Sequence, residues 1–273
     1  MNQDIGDIEF VIFDTETTGL EPESGDRIVE IAAARFKGDN RIGTFQSLVN
    51  PNREISPAAF QVNKITPEML KQAPPIEEVM PEFLNFIQNS CLCSYNAGFD
   101  LEFLNNELQL MGKPPLKGIL VVDILKMARR LIPGLERYAL WFVAENLGIK
   151  IKQEHRAFSD VELTFGVFNK LKQVLEAKGV IDYTSFSHLF AIEPRFLQGM
   201  DGQKIAQIQE AIDLGVKLKI RYLSTSGAEV TEREVIPKEI KKDNSHSYLV
   251  GYCCLRQDER TFRIDGILHL EIV

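Results

Sequence analysis

Four carboxylates and one imidazole stand where the surrounding pattern would favour a buried apolar side chain or a helix cap. They are Asp14, Glu16, Asp100, His155 and Asp160. Like charges that share a pocket repel each other and lose hydration, unless cations hold them together. These residue types therefore indicate a two-metal site for cleaving phosphate esters, with the histidine as a base beside it.

Asp14 and Glu16 follow residues 10–13, an apolar run that is typical of a buried strand. Residues two apart in a strand share a face, so both carboxylates can reach one cation while Thr15 turns away. Hard divalent ions such as Mg²⁺ and Mn²⁺ prefer carboxylate oxygens. A strand-end aspartate followed by a solvated glutamate is the alternative for this pair taken alone, so the prediction depends on the other three residues.

Asp100 and Asp160 are each predicted near the start of a helix. A short strand at 91–93 precedes Asp100, and apolar residues follow both aspartates at helical spacing. Residues five apart lie about 140° apart around a helix, so His155 is predicted on the loop before the second helix. Helix capping is the alternative for each aspartate, and a surface position is the alternative for His155.

Three segments resemble the motifs of the DEDDh 3′–5′ exonucleases, which include the proofreading subunit of bacterial replicative polymerase. These segments are residues 13–20, 96–100 and 155–160, in the order of the family, within a likeness over about residues 8–178. Tyr95 and Asn63 stand where histidine is common in the family. The resemblance implies the ribonuclease-H-like fold.

The resemblance also implies how two divalent metal ions, Mg²⁺ or Mn²⁺, would be held. Asp14, Glu16 and Asp160 would bind one ion. Asp14 would bridge to the second, on which Asp100 would act directly or through water. Two such ions stabilise both the attacking and the leaving oxygen of an in-line displacement.

His155 would take a proton from the attacking water near neutral pH, as its ordinary pKa allows. The 3′-oxygen of the shortened strand would leave, which releases a nucleoside 5′-monophosphate. Thr15, Thr17 and Phe99 are candidate contacts to the terminal nucleotide.

Single-stranded DNA 3′ ends are the substrate predicted from this resemblance, and a polymerase or repair protein is a partner to consider. An RNA 3′ end is an alternative, because contacts to the 2′-hydroxyl decide between the two and one sequence does not reveal them. An inactive nuclease fold that acts as a nucleic-acid-binding regulator is a third hypothesis. Retention of all five chemical residues argues against it.

The net charge of −8 and the pI of about 5.2 count against a protein that coats long stretches of nucleic acid. They do not count against one that holds a few terminal nucleotides. No apolar run approaches the ~20 residues of a membrane helix, and the acidic start lacks a signal-peptide pattern. The four cysteines have no metal-binding spacing and predict reduced thiols in a cytoplasmic protein.

The predicted architecture is α/β, a mixed sheet flanked by helices. Strands are expected near 8–14, 27–37, 42–49 and 91–94, and helices near 76–88, 98–111, 123–131, 136–147 and 158–177. Trp141 is predicted to lie in the core. Residues 1–178 would form this domain, and residues 179–203 would form a partly structured linker.

Residues 204–273 are predicted to form a helix followed by a small antiparallel β-unit. Tyr222, Pro237, residues 248–249 and residues 260–265 resemble positions of the WYL domain, a ligand-sensing module of bacterial regulators. Ser247 stands where tryptophan is usual, and Gly266 stands where arginine is frequent. Arginine and tyrosine side chains of this segment could form a cationic, stacking surface for nucleic acid or a nucleotide. They are Tyr222, Tyr248, Arg260 and Arg263, together with Arg221, Arg233 and Tyr252. An accessory or dimerisation module is the alternative.

Overall fold

The structure, a computed structural model, describes residues 3–150, 156–192, 194–224, 228–243 and 246–273. Between residues 194 and 203 it describes the helix but not the side chains. His155, the predicted base, lies outside the described residues.

The N-terminal unit is built on a mixed five-stranded sheet. Its strands are β1 (Glu9–Thr17), β2 (Ile28–Lys37), β3 (Asn40–Leu48), β4 (Cys91–Ser94) and β5 (Val121–Asp123). The order across the sheet is β3-β2-β1-β4-β5. β2 is antiparallel to both of its neighbours, whereas β4 is parallel to β1 and to β5. The carboxyl ends of β1, β4 and β5 therefore meet at one edge, which we call the catalytic edge.

Helices cover both faces of this sheet. They are α1 (Pro57–Asn63), α2 (Pro67–Lys71), α3 (Ile76–Phe86), α4 (Ala97–Leu110), α5 (Ile124–Leu131), α6 (Leu140–Asn146), α7 (Ala157–Ala177) and α8 (Tyr183–Phe190). Burial on both faces explains why the central strands are continuous apolar runs. The mixed sheet flanked by helices is the predicted architecture, and the fold class is confirmed.

Alternation along β1 divides the core into two layers. Phe10 and Ile12 pack with α5, α6, α7 and α8, whereas Val11 and Phe13 pack with α3 and α4. The same alternation continues past the apolar run. It turns Asp14 and Glu16 toward the layer of α7, and it turns the threonines between and after them toward the layer of α4.

The segment predicted to be a linker, 179–203, instead contains α8, whose apolar side chains complete the N-terminal core. Phe186, Leu189 and Phe190 are fully buried. The backbone N–H of Ile192 donates to the carbonyl of Val121, which ties the end of this segment to the sheet. A chain that stopped at residue 180 would lose these contacts, so the N-terminal unit extends to about residue 192.

The C-terminal unit is a helix and an antiparallel sheet, as predicted. Its elements are α9 (Pro194–Leu214), β6 (Leu218–Leu223), β7 (Val230–Asp243), β8 (His246–Cys253), β9 (Asp258–Arg263) and β10 (Ile267–Ile272). The strand order is β10-β6-β7-β8-β9, with Ile208 and Ala211 of α9 buried in the core. Within the described ranges, none of the helices has both the length and the apolar character needed to cross a membrane.

Buried polar contacts join the two units. Arg130 of α5 is 5% exposed and donates to the carbonyl of Leu223 in β6. Arg221 donates to the carbonyl of Lys178, at the carboxyl end of α7. A Cβ at Gly266 would lie 2.8 Å from the Arg130 guanidinium, so the absence of a side chain there makes room for this contact. The C-terminal unit is therefore docked on α5 and α7.

Candidate metal centre

Three carboxylates from two elements converge at the catalytic edge. Asp14 and Glu16 project from the end of β1, and Asp160 lies in the first turn of α7. One ligand oxygen from each residue can be chosen so that all three lie within 4.8 Å of one another. Asp160 is buried, and the other two are partly exposed. The shared strand face and the helix-start position thus bring together three of the predicted site residues.

The end of β1 is shaped by a bulge and a tight turn. The pairing with β2 shifts after Glu16, which lies opposite Glu30, as bulges beside functional sites often do. In the turn that follows, a Cβ at Gly19 would lie 2.2 Å from the Asp26 carboxylate, so only glycine fits. Asn63 then donates to the carbonyl of Thr17. These contacts hold the strand end in place.

Asp100 reaches the site from the opposite layer. The backbone N–H and the hydroxyl of Thr15 donate to one of its oxygens, at 3.0 and 2.7 Å. The hydroxyl of Ser94, at the end of β4, donates to the other oxygen at 2.6 Å. Asp100 is therefore held rigidly beside the strand that carries Asp14, and Thr15 does turn away from the three-carboxylate group.

Burial and mutual repulsion raise the pKa values of these groups. Burial raises the pKa of Asp14 well above its usual range, and repulsion from Asp100 and Glu16 adds to the shift. Burial, with repulsion from Asp160, raises the pKa of Glu16 to about 8. Burial raises the pKa of Asp100 to about 6, against the hydrogen bonds it accepts. The cluster therefore needs protons or cations near neutral pH.

The donor set fits a hard divalent cation. All the converging atoms are carboxylate oxygens, the ligand type that Mg²⁺ and Mn²⁺ prefer. Bonds of 2.0–2.1 Å to Mg²⁺ place two ligands at most about 4.2 Å apart. The 4.8 Å spread of the three oxygens is therefore close to a binding arrangement, within small side-chain rotations.

An ion pair between the buried Glu30 and the partly exposed Arg156, which the sequence did not indicate, fixes α7 against the sheet. Glu30 of β2 accepts two hydrogen bonds from the Arg156 guanidinium, at 3.0 and 2.9 Å, and one from the N–H of Ala157. Gln46 of β3 donates to the same carboxylate. Burial alone would raise the pKa of Glu30, but the hydrogen bonds from Arg156 and Gln46 lower it. This clamp sets the helix start that carries Asp160.

The predicted nucleotide contacts remain predictions. The hydroxyl of Thr15 is engaged by Asp100, and that of Thr17 donates to the carbonyl of Gly19 at 2.6 Å. Phe99 is partly buried, with its ring 4.9 Å from that of Phe103. All three flank the carboxylates.

Four of the residues predicted to form a C-terminal binding surface, Tyr222, Tyr248, Arg260 and Arg263, do not share one surface. Tyr222 is 8% exposed and packs edge-on against Phe262 in the core. Arg260 and Arg263 are three apart in β9, so alternation turns them to opposite faces. Only Tyr248 lies directly opposite Arg263, on β8. Arg263 is bonded through two nitrogens to the Asp265 carboxylate, at 3.0 and 2.5 Å.

Known protein families match both units. A family model described as exonuclease matches residues 11–168, more than half of the chain. The chain belongs to this exonuclease family. A second model, described as the WYL domain, matches residues 203–272 of the same chain. The N-terminal unit is thus an exonuclease domain, and the resemblance of each segment is confirmed.

Individual relatives agree with this assignment. The DNA polymerase III PolC-type of Staphylococcus haemolyticus (strain JCSC1435) is 30% identical over 93% of this chain, but the chain spans only 17% of that protein. A solved structure of Exonuclease X with 5′-overhanging duplex DNA is 27% identical, with a TM-score of 0.50, over 62% of this chain and 93% of that chain. E. coli ExoI with single-stranded DNA has a TM-score of 0.62 at 16% identity, over 97% of this chain and 64% of that chain, which shows the fold alone.

Replacement of Glu16 tests the repulsion in the exonuclease domain. Its pKa rises from an ordinary 4.5 to about 8 on folding, so the folded state binds this proton more tightly than the unfolded state. The stabilisation present below pH 4.5 is therefore lost as the pH rises through 8. Glu16→Gln should raise the melting temperature of chelated protein at pH 8 by several degrees, at about 2–4 °C per kcal/mol, and change it little at pH 5.

Thermal unfolding followed by circular dichroism at the two pH values measures this effect. Glu23→Gln, which removes an exposed carboxylate from the following turn, is the control and should leave both melting temperatures unchanged. Added Mn²⁺ should stabilise the wild type more than Glu16→Gln. Equal melting temperatures of Glu16→Gln and wild type at pH 8 in chelator would contradict the proposed repulsion.

Replacement of Glu30 tests the clamp on α7. Glu30→Gln should weaken Mn²⁺ binding and turnover by about 10- to 100-fold, the usual effect of removing a residue that orients metal ligands. Arg156→Lys should cost less, because it keeps the charge but loses the two-pronged geometry. Calorimetric titration with Mn²⁺ gives the affinity. Glu9→Gln is the control. It breaks the Glu9–Arg35 pair between the far ends of β1 and β2, and it should change neither the Mn²⁺ affinity nor the turnover.

Proposed function

We propose that the protein is a metal-dependent 3′–5′ exonuclease that releases nucleoside 5′-monophosphates from single-stranded DNA. The convergence of Asp14, Glu16 and Asp160 carries this proposal. Three carboxylates that repel each other in a partly buried pocket are costly to the fold, so their retention points to a bound cation. Membership of the exonuclease family supplies the class of reaction.

The residues divide between two ion sites. Asp14, Glu16 and Asp160 would hold one divalent ion, and Asp14 with Asp100 would hold the second, with Mg²⁺ or Mn²⁺ as the ions. When bound, such ions neutralise charge on the scissile phosphate and lower the pKa of water. Asp100 is held in place by Thr15 and Ser94, so its remaining lone pairs keep a fixed direction.

The other residues orient the substrate and move protons. His155 lies directly before Arg156 in the chain and accepts the proton of the attacking water. The clamp of Arg156 on Glu30 fixes the residue that follows His155, at the start of α7. Thr17 and Phe99, which flank the carboxylates, contact the terminal nucleotide.

DNA is favoured over RNA by two of the relatives. Exonuclease X, at 27% identity, was solved with duplex DNA, and the PolC-type relative is a DNA polymerase. A replicative polymerase is accordingly the proposed type of partner. A cytoplasmic location agrees with four free cysteines, three of them buried. The placement of the carboxylates argues against an inactive, purely regulatory nuclease fold.

A cleavage assay tests the proposed reaction. A 5′-labelled single strand with a free 3′-hydroxyl should shorten as a ladder in Mg²⁺ or Mn²⁺, and chelator should stop it. Asp14→Asn should abolish turnover because the bridging charge is lost, and His155→Ala should lower turnover by about 10²- to 10⁴-fold. Asp7→Asn, at an exposed aspartate just before β1, should leave the rate unchanged.

Matched substrates define the polarity and the preferred sugar. An RNA strand of the same sequence should be cleaved more slowly, and a closed DNA circle should stay intact. Full activity in excess chelator, or shortening from the 5′ end, would overturn the mechanism. Faster cleavage of the RNA strand would replace DNA with RNA as the substrate and leave the metal site unaffected.

A further inference from the structure

A cluster of guanidinium groups and aromatic rings, of which Tyr138 and Phe142 are partly buried and the others exposed, lies outside the carboxylate site. We call it the aromatic rim, and its residues are Arg129, Arg137, Tyr138, Trp141 and Phe142. Trp141, the single tryptophan of the chain, is 44% exposed, although the sequence predicted it to lie in the core. α6 is only seven residues long, and its buried positions are occupied by Leu140, Val143 and Ala144. Trp141 is left facing solvent.

The rim lies at the catalytic edge. The hydroxyl of Tyr95 donates to the carbonyl of Tyr138 at 2.7 Å. Tyr95 directly follows β4, where the Ser94 hydroxyl holds Asp100. The segment that leads into α6 is therefore joined to the strand end that holds a site carboxylate.

The other end of α6 points away from the carboxylates. Ile149, just after α6, packs over Gly166, where a Cβ would lie 3.4 Å from its side chain. Gly166 is nine residues beyond Ala157, about 13 Å along α7 at 1.5 Å per residue. α6 thus runs away from the catalytic edge, and Trp141, in its first turn, stands on the side of the active site.

The chemistry of the rim suits nucleobases and phosphates. The Arg137 guanidinium carbon lies 5.9 Å from the centre of the Trp141 ring and 5.5 Å from that of Phe142. Arg129 lies 6.0 Å from the Tyr138 ring. Aromatic rings stack on any base, and arginine adds cation–π contact and charge for the backbone. The Arg137–Glu136 pair is exposed and therefore weak, so a phosphate can replace Glu136.

We propose that the aromatic rim binds the single strand on the 5′ side of the nucleotide being removed, with a base stacked on Trp141 and phosphates beside Arg129 and Arg137. An exposed tryptophan ring that can stack on a base, with two arginines nearby for the phosphates, favours a single strand over a second copy of this chain. The proposal rests on the proposed exonuclease function, because it supplies affinity for a strand whose 3′ end lies among the carboxylates.

Intrinsic fluorescence gives a direct test, since Trp141 is the single source of tryptophan emission. The full-length protein would be titrated with oligothymidylates of 2 to 12 nucleotides in Ca²⁺, whose looser coordination supports little cleavage. Stacking should quench the emission with the same Kd that anisotropy of a labelled 12-mer reports. The quench should appear only above a threshold length.

Variants separate the rim from the chemistry. Trp141→Ala should raise the KM of the 12-mer by about tenfold and leave its kcat and the cleavage of a dinucleotide unchanged. Trp141→Phe, which keeps a ring, should lose less. Leu110→Ala removes a similarly exposed apolar side chain at the far end of α4 and is the control. Arg137→Ala should reduce the slope of log Kd against log salt concentration by about one. Arg41→Ala, at the opposite end of the sheet, should leave this slope unchanged.

The outcomes distinguish failure of the rim from failure of the nuclease function. Normal cleavage with no fluorescence change, and a KM of Trp141→Ala equal to that of wild type at every length, would overturn the rim while the nuclease function stands. A quench that follows protein concentration without DNA would assign the surface to self-association and also overturn it. A quench by the 12-mer without cleavage in Mg²⁺ or Mn²⁺ would support the rim and refute the proposed function.

Discussion

Repulsion among carboxyl groups at one end of a sheet is the constraint on which the rest of this structure depends. Asp14, Glu16 and Asp160 lie close enough for one cation, and their partial or full burial limits the water that would screen their charge. The pKa of Glu16, about 8, shows that the folded state disfavours the charged form of this carboxyl group when no cation is bound. Proteins keep such destabilising arrangements at functional sites. Here a bound cation would relieve the repulsion, and this relief would contribute to the affinity for the cation.

Two layers of the fold share the task of holding the cluster. The alternation of side chains along β1 gives its carboxylates to the α7 layer and Thr15 to the α4 layer. Asp100 is then fixed by Thr15 and Ser94, and the start of α7 is fixed by Glu30. Asp100 is thus oriented by neutral donors, and the helix start that carries Asp160 is held by a separate ion pair. The geometry therefore does not depend on the ion alone.

Much of this arrangement could be predicted from the sequence, because it follows from local periodicity. The alternation of side chains along a strand predicted that Asp14 and Glu16 share a face. The helical spacing of apolar residues predicted that Asp100 and Asp160 lie near helix starts. Glu30 could not be recognised in the same way, since a single glutamate in an apolar strand acquires meaning only from Arg156, which lies 126 residues later.

The errors have a common cause in long-range packing. Trp141 was predicted to lie in the core, but the buried positions of the short α6 are occupied by Leu140, Val143 and Ala144. The residues of α8 were read as a linker because prolines and glycines follow them, yet Phe186 and Phe190 fill a gap between α7 and the sheet edge. Which surface a short helix covers is decided by distant elements, and local spacing does not encode it.

Diffraction from crystals grown with Mn²⁺, recorded at a wavelength where manganese scatters anomalously, tests the central claim most directly. The account predicts an anomalous peak within bonding distance of Asp14, Glu16 and Asp160, and a second peak on the side of Asp14 that faces Asp100. Peaks confined to other surfaces, with the three carboxylates bonded to protons or to lysine and arginine side chains, would contradict it.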